Sequence, residues 1–263
     1  MQNSFHLMQP DHLSVRVNDA EKLHRQFAEV LGLPVSWPLE CIAFAKFSWI
    51  GVGNTNNEFW QASNNSDLPL DGESFTPFVH GMAIDCKSVP QTVATLRDIG
   101  FACTPAKTFG TSDTDGKQVD ACTKAQLLEI SSTMCQVFLC HWHHEGLIFP
   151  WKEKLSTAER RRNEKRDFSA SGGGTLGLLG LAEIRMSVPD IEHAARGWDL
   201  GEKMMLTMHE GPSQMMNCLL FRVNSLEKAK EAMEERGLLG DHTLDELRLL
   251  PEAVEGLDFR LIE

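Results

Sequence analysis

The run "CHWHHEG", residues 140–146, places His141, His143 and His144 between Cys140 and Glu145. Imidazole, thiolate and carboxylate groups are the side chains that ligate first-row transition metals. Such a run is a metal site in itself, one wall of a site assembled from distant strands, or the polar end of a strand. The surrounding "QVFLCHWH" has strand-like composition, and in a strand successive side chains point to opposite faces. Cys140, Trp142 and His144 then share one face, and His141, His143 and Glu145 the other. Two steps along a strand cover ~6.8 Å and four cover ~13 Å. His143 therefore stays within reach of an ion held by His141, Glu145 does not, and further ligands must come from elsewhere in the chain.

The elements that would bring them together recur. "HLSVRVNDAEKLHRQFAEVLGL" opens with alternation, His12, Ser14 and Arg16 facing one way and Leu13, Val15 and Val17 the other, which predicts a strand with one apolar face. A helix follows, with Asn18 and Glu21 as its capping box, an apolar stripe of Leu23, Phe27, Val30 and Leu31, and Gly32 as its stop. "HGMAIDCKSVPQTVATLRDIGF" repeats this grammar with a strand from His80, a cap at Ser88 and Gln91, and a stop at Gly100. A third unit has its cap at Asp190 and its stop at Gly201, and puts Glu183 at the His12 position. A fourth is capped at Ser225 and stopped at Gly237. Strand-like segments follow the first two helices: residues 33–54 and "NNEFWQA" after one, "AKTFGT", "AQLLEISS" and "QVFLCHWH" after the other. The unit is strand, helix, then three strands. The later pair is compressed and closes on "LDFRLIE".

Between the halves, "KEKLSTAERRRNEKRDFSASGGGTLG" predicts a short exposed helix and a glycine hinge. Gly172, Gly173 and Gly174 lack the Lys-Ser/Thr pair of a phosphate loop and lead into a strand rather than a helix. With 263 residues and a net charge of -12, the chain is long enough for a sizeable core and too acidic, with no basic aromatic face, for a nucleic-acid backbone. No apolar run reaches membrane-spanning length, and the seven cysteines form no CxxC pair. The expectation is a soluble, cytoplasmic protein with reduced, buried thiols and a small-molecule substrate, with neither nucleic acid nor membrane as partner.

Paired βαβββ units with a histidine on the first strand and an acidic residue on the last resemble the vicinal oxygen chelate superfamily, which includes glyoxalases, bleomycin-resistance proteins and extradiol dioxygenases. "DHLSVRVNDAEKLHRQFAEVLGLPVSWP" with "GVGNTNNEFWQA", and "VHGMAI" with "VFLCHW", carry the likeness over residues 11 to about 145; residues 177–263 follow it only in outline. The resemblance implies an α+β fold of cupped mixed sheets. Residues 1–150 form two modules (about 8–75 and 76–150), residues 151–176 a charged and glycine-rich linker, and residues 177–263 a degenerate module pair.

The same resemblance implies one divalent metal (Zn, Fe(II), Mn, Ni or Co) held by His12, Glu58, His80 and one residue of "CHWHHEG". Aligning "NEFWQ" with "CHWHH" sets Glu58 opposite His141 and Phe59 opposite Trp142, which makes His141 the fourth ligand, with His143 as an auxiliary and Glu129 as a competitor of Glu58. A histidine then stands where glyoxalases usually carry a second glutamate. The leading implied function is a metal-dependent, glyoxalase-like lyase or isomerase acting on a small carbonyl or vicinal-oxygen substrate, with Glu58 as ligand and proton carrier. One alternative is an Fe(II) extradiol-type ring-cleaving dioxygenase, although the chain has no tyrosine. Another is a metal-free small-molecule binding protein like the bleomycin-resistance proteins. Relatives often complete such cups across a homodimer, which four units in one chain can also do internally.

Overall fold

Leu13, Val15 and Val17 are almost wholly buried, and the strand that alternation predicts for them is β1 (Gln9–Arg16). The computed structural model describes residues 9–64, 76–112, 115–143, 155–198 and 206–263. After β1 come α1 (Ala20–Arg25), running on into a π-helical turn at Gln26–Val30, then β2 (Val35–Ile42), β3 (Ala45–Gly51) and β4 (Asn56–Ala62). Next are β5 (Phe78–Asp85), α2 (Val89–Asp98), β6 (Lys107–Ser112), β7 (Gln118–Gln126), β8 (Gln136–Trp142) and α3 (Thr157–Ala170). The rest comprises β9 (Leu178–Val188), α4 (Ile191–Trp198), β10 (Leu206–Glu210), β11 (Met215–Val223), α5 (Leu226–Glu235), β12 (Leu239–His242), β13 (Leu247–Leu249) and β14 (Phe259–Ile262).

The strands form a mixed sheet whose path runs β12-β13-β14-β11-β5-β1-β4-β3-β2, with β8, β7 and β6 branching from β5 and with β9 and β10 branching from β11. The architecture is a sheet-dominated α+β fold. Leu23 and Phe27 of the first helix and Val93 and Leu96 of α2 pack with Phe59, Val137 and Leu139 in one apolar core. That leaves the opposite face of β1, β4, β5, β7 and β8 for polar side chains.

Local signals hold with three shifts. The first helix is capped by Asp19, which accepts from the Lys22 N–H, and not by Asn18, whose N–H goes to Glu255 at 2.7 Å. Ser88, Asp190 and Ser225 cap α2, α4 and α5 as expected, while Gly201 lies outside the described residues. "AQLLEISS" is not a strand: β7 lies earlier, and Leu128–Ile130 forms a 3-10 turn. Cys41 is exposed, Cys86 is half-buried and the other five cysteines are buried and free. No described helix is long and apolar enough to cross a membrane.

The segment expected to be a short exposed helix and a glycine hinge forms a helix exposed along much of its length, but it sends one arginine into the sheet. Ser156 and Glu159 close a capping box on α3, and Arg160 points inward with 0 % exposure. Its guanidinium is paired with the equally buried Asp11 of β1 and, at 2.9 Å, with Glu164. Arg161 adds a second contact to Asp11 at 2.9 Å. Glu159, Arg162, Lys165, Arg166 and Asp167 stay exposed, while Arg160 turns inward because its partner on the sheet is a carboxylate. Gly173 and Gly174 adopt left-handed backbone with φ of 75° and 67°. A side chain there would collide with the Leu178 and Leu31 backbones, so these glycines permit close packing and do not act as a hinge.

Removing one member of a buried ion pair leaves the other charge uncompensated, typically a loss of about 3 kcal/mol or more. Arg160→Met, which keeps volume and removes charge, is expected to lose about that much stability in urea unfolding. A loss below about 1 kcal/mol, the range of exposed pairs, would show that Arg161 suffices to hold Asp11.

Candidate functional site

The polar face of β1, β4, β5, β7 and β8 encloses a cavity of about 800 Å³. His12, Ser14 and Arg16 line it from β1, Glu58 and Trp60 from β4, His80 from β5, Lys124 and Gln126 from β7, and Gln136 and Phe138 from β8. Their common face follows from alternation: the apolar neighbours Leu13, Val15, Phe59 and Val137 are buried on the helix side.

His12 is held from behind. The β1–β5 ladder shifts register between Pro10 and His12, and beside that irregularity the Asp11 carboxylate meets the His12 Nδ1 at 2.8 Å. A carboxylate only accepts, so Nδ1 carries a proton, and Nε2 faces the cavity 3.9 Å from Glu58 Oε2. Burial would raise the Asp11 pKa, but the Arg160 charge, the His12 hydrogen bond and Arg161 outweigh it and hold the carboxyl well below its usual range. Glu58 is likewise pushed up by burial and pulled further down by His12, Lys124, Arg16 and the Ser14 hydroxyl, and so stays ionised. Its Oε1 accepts from the Trp49 indole at 3.2 Å.

His80 is occupied by a neighbour. The Arg16 Nε–H donates to His80 Nδ1 at 2.9 Å, and the Arg16 guanidinium lies 3.6 Å from the Trp60 ring centroid. Burial and the Arg16 charge push the His80 pKa down to about 4, with the Thr133 backbone and Glu58 acting the other way. The ring is neutral at ordinary pH. With Nδ1 accepting from Arg16, its proton sits on Nε2, and neither nitrogen has a free lone pair for a metal.

The structure thus brings His12, Glu58 and His80 to one cavity and leaves the fourth expected ligand out. His141 lies on the other face of β8, where its Nδ1 is 3.1 Å from the Cys86 carbonyl and its ring meets His143 edge-on at 5.2 Å. The physical reason is the core: Val137 and Leu139 must be buried under α2, which gives Gln136, Phe138, Cys140 and Trp142 the opposite face. Phe59 therefore shares its phase with Val137 and Leu139, and Glu58 with Gln136 and Phe138. His143 bonds the Thr123 hydroxyl at 2.8 Å and does not line the cavity, while His144 and Glu145 lie outside the described residues. Glu129 sits on the 3-10 turn and accepts from the Ala102 N–H at 3.3 Å, away from the cavity.

A divalent metal fits these residues poorly. Among the described residues no group of three or more His, Cys, Asp and Glu is placed to hold one. His12 and Glu58 offer two donors, but His80 is engaged by a guanidinium whose charge would repel a metal ion on the same imidazole. In the C-terminal half, Glu183 pairs with Arg185 at 3.3 Å and Cys218 is buried, so neither forms a second site.

Sequence reasoning passes over Asp11, Arg16, Lys124 and Arg160 as functional residues. Arg16 is visible as a cavity-facing residue because it alternates in phase with His12. Asp11 has only its adjacency to His12 as a signal. Lys124 requires the correct limits of β7, and nothing in a helix lacking an apolar stripe marks Arg160 as buried.

The buried neutral His80 makes stability depend on pH. The unfolded ring titrates near 6.5 and the folded one at about 4. Between those values the unfolded chain binds the extra proton, so stability falls as pH falls through this window. The share due to His80 should be about 2 kcal/mol between pH 7 and pH 5. His80→Gln should flatten the urea-unfolding profile by that amount, and an unchanged slope would contradict the assignment.

No family model matches the sequence, and no curated protein matches it. Solved structures do match in fold. A hypothetical protein from Staphylococcus aureus superposes with a TM-score of 0.61 at 8% identity, covering 97% of this chain and 98% of that one. The 2,3-dioxygenase LapB from Pseudomonas sp. KL28 gives 0.56 at 12% identity, with 97% and 91% covered. An extradiol ring-cleaving dioxygenase from B. fuscum gives 0.55 at 12% identity, with 98% and 72% covered. The chain has a sheet-dominated α+β fold similar to that of extradiol ring-cleaving dioxygenases.

Proposed function

We propose that the chain is a vicinal oxygen chelate superfamily protein whose cup binds a small organic molecule without a metal ion. Supporting the family reading, β1, β5 and β11 are each followed by a helix and three strands, and the last of those strands lies parallel to the first: β4 on β1, β8 on β5 and β14 on β11. Among the described residues, β9 and α4 are followed by β10 alone before β11, and it too is parallel to its first strand. On this reading residues 1–150 are two βαβββ modules, residues 177–263 a degenerate pair that has lost strands, and residues 151–176 the packed segment joining them.

The single observation that carries the metal-free reading is the Arg16–His80 hydrogen bond at 2.9 Å. It fills the imidazole position that a metal would need and supplies a fixed positive charge in its place. A metal-dependent enzyme, above all a ring-cleaving dioxygenase, is the second reading. It is favoured by the Asp11–His12 contact, because a ligating histidine usually donates its other N–H to a carboxylate. The fold neighbours favour it as well. It requires Arg16 to leave His80.

The two readings separate on protein purified without a histidine tag. The expected outcome is substoichiometric metal in elemental analysis and a ligand-induced thermal shift that a chelator leaves intact. One metal per chain, lost on His80→Ala, with oxygen uptake on catechols after anaerobic iron loading, would favour the dioxygenase instead.

A further inference from the structure

We propose that the cavity takes a planar aromatic carboxylate, with the acid group on Arg16 and Lys124 and the ring against the aromatic side chains of its walls. The inference deepens the metal-free binding reading and rests on it.

The first observation is charge. The chain carries a net charge of -12, yet Arg16, Lys107 and Lys124 line the cavity against the single acid Glu58. Excess cation in the concavity of an acidic protein attracts anions from solution.

The second is how those cations are held. Each lies over an aromatic ring: Arg16 3.6 Å from the Trp60 centroid, Lys124 5.1 Å from that of Phe138, and Lys107 5.1 Å from that of Phe109 at the rim. Ring faces attract a cation without neutralising it. Among the described residues neither lysine has a carboxylate within ion-pair distance, and Arg16 Nη1 is buried with no hydrogen-bond partner. Buried donors left in this state are costly unless an anion completes them.

The third is shape. At about 800 Å³ the cavity lies within the range of small-molecule sites, large enough for a bicyclic ligand. Trp60, Phe109 and Phe138 offer flat apolar surface beside each cation, which suits a ring bearing an acid group better than a compact inorganic anion.

Isothermal titration of the full chain with 2-naphthoate, its neutral isostere 2-naphthamide and inorganic phosphate tests this. The acid should bind at least about tenfold more tightly than the amide, the worth of one charge-assisted hydrogen bond. Its affinity should fall with added salt, and phosphate should bind weakly or not at all. Lys124→Met should reduce naphthoate affinity by about tenfold and leave the amide unchanged. Equal binding of acid and amide by the unsubstituted chain, insensitive to chelator, would overturn the anion inference and leave the metal-free reading standing. Binding of either compound only after metal loading would overturn both. No binding of naphthoate, or phosphate binding as tightly as naphthoate, would overturn the proposed class.

Discussion

A carboxylate moved out of water into a protein interior costs several kcal/mol, and Asp11 is wholly buried in the middle of the sheet. The environment around it consists of the groups that compensate. Arg160 and Arg161 reach it from α3, His12 from β1 and the Trp142 indole from β8 at 3.1 Å. Each contact fixes something else. The arginines dock a helix that has no apolar face of its own. His12 is locked with its Nε2 toward the cavity. Trp142, held at its indole edge, packs against Trp49 at 5.5 Å, and Trp49 in turn donates to Glu58. The orientations of His12 and Glu58 therefore trace back to one charge that had to be neutralised.

The cup inherits a different electrostatic balance from its next-but-one neighbours on β1. The alternation that sends His12 inward sends Ser14 and Arg16 inward too. Arg16 reaches His80 across the β1–β5 pairing, and its guanidinium acts on Glu58 as well. A cationic donor and a metal ion compete for the same lone pair. In a cavity of reduced dielectric the repulsion between them is stronger than in water. With Gln136 and Phe138 as the residues that β8 turns to the cavity, the residues that would help a metal displace the guanidinium are two, His12 and Glu58, too few for the usual closed coordination shell of first-row metals.

The repeated strand-helix grammar and the caps at Ser88, Asp190 and Ser225 are legible in the sequence because each rests on local periodicity or on likeness between units, whereas the meeting of His12, Glu58 and His80 in one cavity is expected only from the family resemblance. His141 is misplaced there because matching "NEFWQ" to "CHWHH" weighs the polar residues and ignores the burial of Val137 and Leu139. Placing Phe59 opposite Leu139 puts Phe138 in the cup, and that choice is decided by the core under α2, a tertiary fact. Arg160 is out of reach for a similar reason. A charged helix is exposed by every local criterion, and this one is along much of its length, but a buried carboxylate elsewhere in the chain draws one of its arginines inward.

The two halves of the chain deal with charge on the sheet in opposite ways. In the C-terminal half, Arg185 meets Glu246 at 2.8 Å, Arg260 pairs with Glu246 and Asp258, and Arg248 meets Asp258 at 2.8 Å. Cations and carboxylates there neutralise one another in a chain. In the N-terminal cup the cations lie over Trp60, Phe109 and Phe138 instead. An aromatic face steadies a positive charge while leaving most of its field directed into the cavity. On a sheet whose first and last strands pair in parallel in both halves, it is the exchange of carboxylate partners for aromatic ones that separates a self-satisfied surface from a cavity that still attracts an anion.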